Sequence, residues 1–300
     1  MTKKFLIYST PIMVLFTALA LFEPWIYQNI VASTSLERLK NKEFEVIAHK
    51  GASGVAPENT LEAFQKAIDL GVDMIELDVR HTKDSAIIVF HDQMLDRTTN
   101  GTGDVHDYTL AEIKALDAGS WFGDTTYANA KVPTLKEALD LINGQCKVLI
   151  EVKHMDHPLF HDFAMKLVDV IREEKDGFEW CILQSYENLY LEEAKAYDPR
   201  VQTKKLLVGE DSAPLLAFYI ETRVHLGRGE QEGKLAALNP HYETLSPRRI
   251  FRMHSRGFKV YTYPVNERDD MIKMLNMGVD GIITDYPSRL IQIREDIKAL

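Results

Sequence analysis

The chain has 300 residues, of which 45% are hydrophobic and 27% are charged, and this composition excludes a disordered chain, a collagen-like repeat and a small disulfide scaffold. The 35 basic and 45 acidic residues give a net charge of -10, which argues against a nucleic-acid binder, because such a protein must neutralise phosphates. Two cysteines, Cys146 and Cys181, allow at most one disulfide, and the apolar runs beside them favour buried free thiols.

The first predicted element is an apolar segment from Phe5 to Phe22 that contains no charged residue. As a helix it would span about 27 Å, which is close to the thickness of the hydrocarbon core of a membrane. Apolar and aromatic residues continue to Tyr27, as in an interfacial belt, so we favour a transmembrane anchor. The alternative is a cleaved signal peptide, with Lys3 and Lys4 before the apolar run and Ala18-Leu19-Ala20 as its cleavage site.

The basic residues around this segment set its expected orientation. Lys3 and Lys4 precede it, and no Lys or Arg follows until Arg38. The positive-inside rule therefore predicts a single-pass cell-membrane protein with a cytoplasmic N-terminus and an extracytoplasmic C-terminal domain, whereas signal-peptide cleavage would give a secreted protein. Residues 1–42 are predicted to form the anchor, at about 5–22, and a stalk that includes Leu36 and Leu39. Residues 43–300 are predicted to form the globular domain.

Beyond residue 43 the chain alternates short β-branched runs with longer segments of helical period, which is typical of βα units around a parallel sheet. Only residues 81–85 separate the second run from the third. Because a parallel crossover needs a dozen residues or more, the third run is predicted to be the return strand of a hairpin. Segments 60–70, 133–142, 161–174 and 267–277 are predicted helices. The predicted strands are 45–49, 74–80, 86–91, 147–153, 181–186, 204–208, 236–239, 259–263 and 281–285.

The eight strands other than the hairpin's return strand predict a (β/α)8 TIM barrel. An open, doubly wound sheet is the alternative, and the lack of a glycine-rich dinucleotide motif after the first strand disfavours it. The segment from about Asp92 to Lys131 is rich in turn residues and shows little periodicity. We expect it to be a small insertion after the second barrel strand, forming a loop-rich cap over one face of the barrel.

Acidic side chains are concentrated at the C-terminal ends of the predicted strands, where barrels of this type carry their active sites. Alternation along a strand places Glu76 and Asp78 on one face, and Glu151 occupies the matching face of the next barrel strand. Three carboxylates at one barrel mouth require a compensating cation. All-oxygen ligands favour one hard divalent ion, Mg²⁺ or Ca²⁺, with Mn²⁺ as a further candidate. Ion pairs with Lys153 and Arg80 are the purely structural alternative.

Two histidines are predicted to lie beside these carboxylates. His49 ends the first strand, and the hairpin returns His91 to a position near Asp78. Two imidazoles that flank a metal site are typical of a general acid–base pair working near neutral pH. Lys50 and Lys153 add positive charge at the same mouth, which suits an anionic substrate such as a phosphate ester.

Seven short motifs occur in order along the chain: His49-Lys50-Gly51-Ala52-Ser53-Gly54, Pro57-Glu58-Asn59-Thr60, Glu76-Leu77-Asp78-Val79, His91-Asp92, Glu151-Val152-Lys153, Gln184-Ser185 and Gly281-Ile282-Ile283-Thr284-Asp285. Their order and content resemble the glycerophosphodiester phosphodiesterase family from about residue 46 to residue 290. The resemblance implies a TIM-barrel hydrolase that cleaves small glycerophosphodiesters into sn-glycerol 3-phosphate and an alcohol.

The resemblance also implies roles for particular residues. Carried over by position, the metal ligands are Glu76, Asp78 and Glu151, and the acid–base pair is His49 and His91. A further match, Lys153, corresponds to a family lysine that contacts the phosphate. The nucleophile is either a water or the neighbouring hydroxyl of the glycerol.

Two positions depart from the family pattern. Lys50 stands where the family usually has Arg, so a point charge replaces a bidentate phosphate contact, and we expect weaker phosphate binding without loss of the reaction. The segment Tyr263-Pro264-Val265-Asn266 stands where the family commonly has Trp-Thr-Val-Asn. Tyr263 is therefore expected to line the glycerol pocket with a smaller ring that carries a hydroxyl, which alters the preference for the alcohol.

Three other functions fit parts of the pattern. A lysophospholipase D-like enzyme would use the same site on a membrane lysophospholipid. A catalytically silent barrel could bind lipid headgroups or a protein partner, but it would have no physical reason to keep an unpaired charge cluster. A sugar-processing barrel with paired carboxylates does not account for two histidines and two lysines at one mouth.

Overall fold

The computed structural model describes residues 35–153, 162–207 and 237–300, so the predicted anchor lies outside the described residues. The strands are β1 Glu45–Ala48, β2 Met74–His81, β3 Ile87–Val89, β4 Lys147–Val152, β5 Cys181–Ser185, β6 Gln202–Leu207, β7 Ala237–Pro240, β8 Lys259–Thr262 and β9 Gly281–Thr284. Strand β1 pairs in parallel with both β2 and β9, and the series continues through β8, β7, β6, β5 and β4 back to β2, which closes an eight-stranded parallel barrel. The TIM-barrel prediction is confirmed, and an open sheet is excluded.

The ninth strand, β3, is the return strand of the predicted hairpin. It pairs antiparallel with β2, with Val89 opposite Val79, and just beyond the strand the N–H of Phe90 donates a hydrogen bond of 2.9 Å to the Asp78 carbonyl oxygen. Strand β3 is shorter than the predicted run 86–91, and β6 begins two residues before its predicted start. Cys146 and Cys181 are free thiols, as predicted, but only Cys181 is buried and Cys146 is half-buried.

Helices connect the barrel strands, and the four predicted helices lie within two residues of their observed ends. Thr60 caps the first helix because its side chain accepts a hydrogen bond from the N–H of Ala63. The helices are α1 Leu61–Leu70, α2 Leu110–Ala115, α3 Leu135–Ile142, α4 Phe163–Glu173, α5 Gly177–Trp180, α6 Asn188–Tyr197, α7 Pro247–His254, α8 Arg268–Met277 and α9 Pro287–Lys298.

Residues 92–131 connect the hairpin to α3 through turns, short 3-10 helices and α2. Leu95, Val105 and Ile113 of this insertion pack in a small apolar cluster that also includes Ile88 of β3 and Phe90. The sequence did not lead us to expect α2, although Thr109 and Glu112 form the reciprocal capping box that commonly starts a helix.

Residues 35–42 pack against the amino-terminal face of the barrel. The 3-10 helix Leu36–Leu39 contacts α8 and α9, and Leu39 is buried in one apolar cluster with Phe44 and Ile297. The predicted stalk therefore does not extend to residue 41, because burial of Leu39 joins this part of the chain to the barrel. No helix in the described ranges is long and apolar enough to cross a membrane.

One lysine lies among the apolar side chains that fill the barrel interior toward its amino-terminal end. Lys204 on β6 is buried, and its ammonium lies 3.8 Å from the centre of the Tyr261 ring and 3.8 Å from Met74 Sδ. Among the described residues, no carboxylate forms an ion pair with it. Burial lowers the pKa of Lys204 to about 7, and the more distant charge of Glu45 opposes that shift only in part.

We expect the substitution Lys204→Met to stabilise the protein by roughly 2–4 kcal/mol at pH 7. The folded pKa of about 7 lies below the ordinary lysine value of 10.5, so burial of the charge penalises the folded state fully below pH 7. The penalty then disappears as the pH rises toward 10.5. The cation–π contact with Tyr261 offsets part of the penalty. Urea unfolding at pH 7 and pH 10 measures this difference, which should shrink at the higher pH.

Lys147→Met is the matched control for this prediction, because Lys147 is exposed at the start of β4. It should leave both the stability and its pH dependence unchanged. A Lys204→Met protein that unfolds in parallel with the wild type at both pH values would show that Lys204 carries no buried-charge penalty.

Candidate active site

Three buried carboxylates meet inside the carboxyl-terminal end of the barrel. Glu76 and Asp78 lie on β2, and Asp78 is directly opposite Glu151 on the adjacent strand β4. One oxygen from each residue lies within 4.8 Å of the other two, and all three side chains are buried. The structure thus brings together the three carboxylates that were predicted, from the alternation of side chains along each strand, to lie at one barrel mouth.

The charge of this cluster fits a divalent cation. Burial, and then the charge of Asp78, raise the pKa of Glu76 to about 8, and the same two causes raise the pKa of Glu151. Lys153 contacts both Asp78, at 2.9 Å, and Glu151, so one ammonium faces three carboxylates. With all three carboxylates ionised, Lys153 leaves two negative charges unbalanced, and one divalent cation would balance them; the oxygen ligands suit a hard ion. The Asp78 oxygen that Lys153 contacts, Oδ1, is buried, and this contact does not have the geometry of a hydrogen bond.

Neighbouring amides hold these carboxylates in place. Asn59 donates a hydrogen bond from Nδ2 to Asp78 Oδ2 at 2.8 Å and accepts one from the N–H of Asp78. Gln184 Nε2 lies 3.4 Å from Glu76 Oε1, and its own carbonyl oxygen accepts a hydrogen bond of 2.7 Å from Asn239. These contacts restrict the carboxylate orientations in the way that metal sites commonly require.

His49 lies at the end of β1 and is held by a carboxylate. Its Nδ1 is 2.6 Å from Asp285 Oδ1, and Asn266 donates to the second oxygen of Asp285, also at 2.6 Å. Burial acts to lower the pKa of His49, but the Asp285 hydrogen bond and the negative charge of Glu76 outweigh it, and the pKa is raised. This contact at Nδ1 leaves Nε2 of His49 available for proton transfer.

His91 is held in a similar way by the residue that follows it. Its Nδ1 is 2.6 Å from Asp92 Oδ1, and its backbone carbonyl accepts a hydrogen bond of 2.9 Å from Arg80. Burial is the main reason that the pKa of His91 is lowered, and repulsion from Lys153 adds to it. The two imidazoles therefore bind protons with different affinity, as a pair that divides acid and base roles must.

A left-handed turn after β1 positions Lys50. Lys50 and Gly51 have φ angles of 56° and 80°, and a Cβ at position 51 would lie 2.7 Å from the backbone of Ala63. The turn directs the N–H of Lys50 to Glu76 Oε2 at 2.9 Å, while its ammonium lies 3.0 Å from Glu58. Of the two predicted phosphate-binding lysines, only Lys153 therefore contacts the carboxylate cluster through its ammonium.

Tyr263 stands just beyond the end of β8, where its ring packs against the apolar barrel interior. Its hydroxyl hydrogen-bonds to the Tyr186 hydroxyl and lies 3.2 Å from the Leu207 carbonyl oxygen. The hydroxyl that distinguishes Tyr263 from tryptophan thus ties together the ends of three barrel strands.

Sequence reasoning assigned no role to the residues that support the histidines, Lys50 and Asp78. Four of these residues lie in the motifs quoted for the family resemblance, so the motifs could have identified them as candidates: Glu58, Asn59, Asp92 and Asp285. Arg97, which contacts Glu58 and Asp92, lies in the insertion and was singled out by no motif.

A (β/α)8 barrel that presents buried carboxylates and two carboxylate-bound imidazoles at its carboxyl-terminal face defines a barrel enzyme with its active site there. Residues 49–289 match the sequence profile of the glycerophosphoryl diester phosphodiesterase family. The chain is 37% identical over 249 residues to a glycerophosphodiester phosphodiesterase of Caldanaerobacter subterraneus, with 83% of this chain and 96% of that protein covered. A glycerophosphodiester phosphodiesterase of Bacillus subtilis is 34% identical over 261 residues, covering 83% of this chain and 86% of that protein.

Solved structures agree with these sequence matches. An Oleispira antarctica phosphodiesterase in complex with the product sn-glycerol-3-phosphate superposes with a TM-score of 0.72 at 30% identity, over 84% of this chain and 96% of that one. The chain belongs to the glycerophosphoryl diester phosphodiesterase family and is an enzyme of that class.

Proposed function

We propose that the protein hydrolyses small glycerophosphodiesters to sn-glycerol 3-phosphate and an alcohol, with a divalent cation and a histidine acid–base pair. The observation that carries this proposal is the convergence of Glu76, Asp78 and Glu151 within 4.8 Å, in a chain of this family. The product bound to the Oleispira antarctica relative supports the choice of substrate.

The three carboxylates would hold Mg²⁺, Ca²⁺ or Mn²⁺, which would neutralise charge on the phosphate oxygens as the reaction proceeds. Lys153 lies beside the same carboxylates and supplies a second positive charge for the phosphate. Lys50 supplies a third, at the rim of the cluster, where Glu58 holds its ammonium. Anionic substrates are thereby attracted to a site on a protein whose net charge is negative.

His49 and His91 would move the protons of the reaction. One imidazole accepts the proton of the nucleophile, a water or the glycerol hydroxyl next to the phosphate, while the new oxygen–phosphorus bond forms. The other imidazole donates a proton to the alcohol oxygen as its bond to phosphorus breaks. Attack by water gives sn-glycerol 3-phosphate directly, whereas attack by the glycerol hydroxyl gives a cyclic phosphate that a water must then open to the same product. Asp285 and Asp92 hold the two rings at Nδ1, so the proton transfers would occur at Nε2.

A substrate panel tests the proposal directly. Purified protein is assayed on glycerophosphocholine, glycerophosphoethanolamine and lysophosphatidylcholine after EDTA treatment, and then with Mg²⁺, Ca²⁺ or Mn²⁺ added. We expect release of sn-glycerol 3-phosphate from the two soluble diesters, only with a cation present. Preferential release of choline from lysophosphatidylcholine would indicate the lysophospholipase D-like activity instead, and full activity in EDTA would contradict the role of the cation.

Asp285→Asn is expected to reduce kcat about 100-fold with little change in KM. The neutral amide cannot stabilise a protonated His49, and loss of the negative charge lowers the pKa of that imidazole. A pH profile of kcat/KM should therefore show the His49 ionisation at lower pH than in the wild type. Ser53→Ala is the matched control, because Ser53 also contacts Asp285 Oδ1, at 3.0 Å, and its loss leaves the Asp285–His49 pair intact. Equal effects of the two variants would contradict the role of Asp285.

A further inference from the structure

Arg97 in the insertion contacts two carboxylates that each hold a different group of the site. Its Nη1 and Nη2 donate hydrogen bonds of 2.8 and 2.7 Å to the two oxygens of Glu58. Its Nε donates a third, of 2.5 Å, to Asp92 Oδ2. One planar guanidinium therefore fixes both carboxylates at once, which a point charge such as a lysine ammonium cannot do.

Each of these two carboxylates also contacts a second charged or titratable side chain inside the barrel mouth. Asp92 uses its second oxygen for Nδ1 of His91, at 2.6 Å. Glu58 accepts the ammonium of Lys50, at 3.0 Å, on the same oxygen that binds Nη2 of Arg97. A continuous series of charged contacts thus runs from Lys50 through Glu58, Arg97 and Asp92 to His91.

We propose that Arg97 is a positioning residue that orients His91 and Lys50 together, so that the insertion is a working part of the catalytic site. This inference rests on the proposed function, because that function assigns His91 to proton transfer and Lys50 to binding of the phosphate. Without Arg97, Asp92 and Glu58 lose their shared partner, and each is free to turn away from the group that it holds. Loss of His91 orientation lowers kcat, and loss of Lys50 orientation raises KM.

Exposure decreases from Arg97 to Glu58 and Lys50, so Arg97 lies on the solvent side of this series of contacts. The Glu58 side chain is only 13% exposed, and the Arg97 side chain is 47% exposed, so the guanidinium covers the two carboxylates from the solvent side. The insertion is also attached to the barrel elsewhere, since Tyr127 donates a hydrogen bond of 3.0 Å from its hydroxyl to the Val55 carbonyl oxygen. Tyr127 contacts neither His91 nor Lys50 through this bond, which makes it a matched control.

The experiment compares Arg97→Gln, Arg97→Lys and Tyr127→Phe on glycerophosphocholine with the cation that best supports the wild type. We expect Arg97→Gln to lower kcat about 10- to 100-fold and to raise KM severalfold. Arg97→Lys should recover part of both losses, and Tyr127→Phe should change neither constant by more than about twofold. The double variant Arg97→Gln/Asp92→Asn should have a kcat close to that of the worse single variant, because both changes break one series of contacts.

The outcomes separate this inference from the proposed function. An inactive wild type would contradict the proposed function itself. With an active wild type, Arg97→Gln kinetics that match Tyr127→Phe would overturn the positioning role, as would additive losses in the double variant. A lowered melting temperature with unchanged kcat and KM below it would show that Arg97 only stabilises the fold.

Discussion

Alanine in place of His49 or of His91 is expected to lower kcat for glycerophosphocholine about 1000-fold while the protein remains folded. Each imidazole is bound at Nδ1 by its own aspartate, at 2.6 Å, and each is the only proposed carrier for one of the two protons that move. Neither histidine belongs to the apolar core, so truncation removes the proton carrier without opening a large cavity. Steady-state kinetics with circular dichroism and thermal unfolding of each variant measure both parts of the prediction.

His254→Ala is the matched control for these variants. His254 also pairs with an aspartate, Asp280, at 2.8 Å, but His254 ends α7 and Asp280 directly precedes β9, so this pair lies at the opposite end of the barrel. Its loss should leave kcat and KM unchanged. Near wild-type turnover in a folded His49→Ala or His91→Ala protein would refute the acid–base assignment for that residue.

Glu151→Gln is expected to lower kcat at least about 100-fold and to abolish stabilisation by divalent cations. The amide keeps the size of the side chain but removes one of the three negative charges. For the wild type, a cation at 100 times its dissociation constant should raise the free energy of unfolding by about 3 kcal/mol. Thermal unfolding with EDTA, Mg²⁺, Ca²⁺ or Mn²⁺ measures this effect without any need for activity.

The same variant should be no less stable than the wild type when both are free of metal. Burial and the charge of Asp78 raise the pKa of Glu151, so its ionised form destabilises the metal-free fold near neutral pH. Asp140→Asn, on the exposed surface of α3, is the control and should keep both activity and cation-dependent stabilisation. A Glu151→Gln protein that cations stabilise as strongly as the wild type would remove Glu151 from the ligand set.

The parts of the fold that depend on local pattern could be predicted from the sequence. The five residues between Arg80 and Ala86 allow only a hairpin, and this spacing distinguished β3 from the barrel strands. Period-two alternation grouped Glu76 and Asp78, and the barrel then placed Glu151 beside them. These inferences needed only the geometry of single strands and the parallel order of the sheet.

The supporting contacts depend on distances that no local pattern contains. Asp285 is 236 residues from His49, and Arg97 is 39 residues from Glu58. Many acidic residues of the sequence could have paired with His49 or with Arg97. Only the closed barrel and the path of the insertion determine which of them do. The boundary of the stalk was misjudged for a related reason, because the apolar surface that buries Leu39 comes from α8 and α9, near the end of the chain.

The side on which the chain enters the barrel has a consequence for the supply of substrate. Residues 35–42 join the barrel at the amino-terminal ends of its strands, and the carboxylate cluster lies at the other ends. The anchor that the sequence predicts, which we retain as a proposal, would thus attach at the end remote from the mouth. Diesters would then reach the site by diffusion through the aqueous phase, which favours deacylated, freely soluble molecules over lysophospholipids held in the adjoining bilayer.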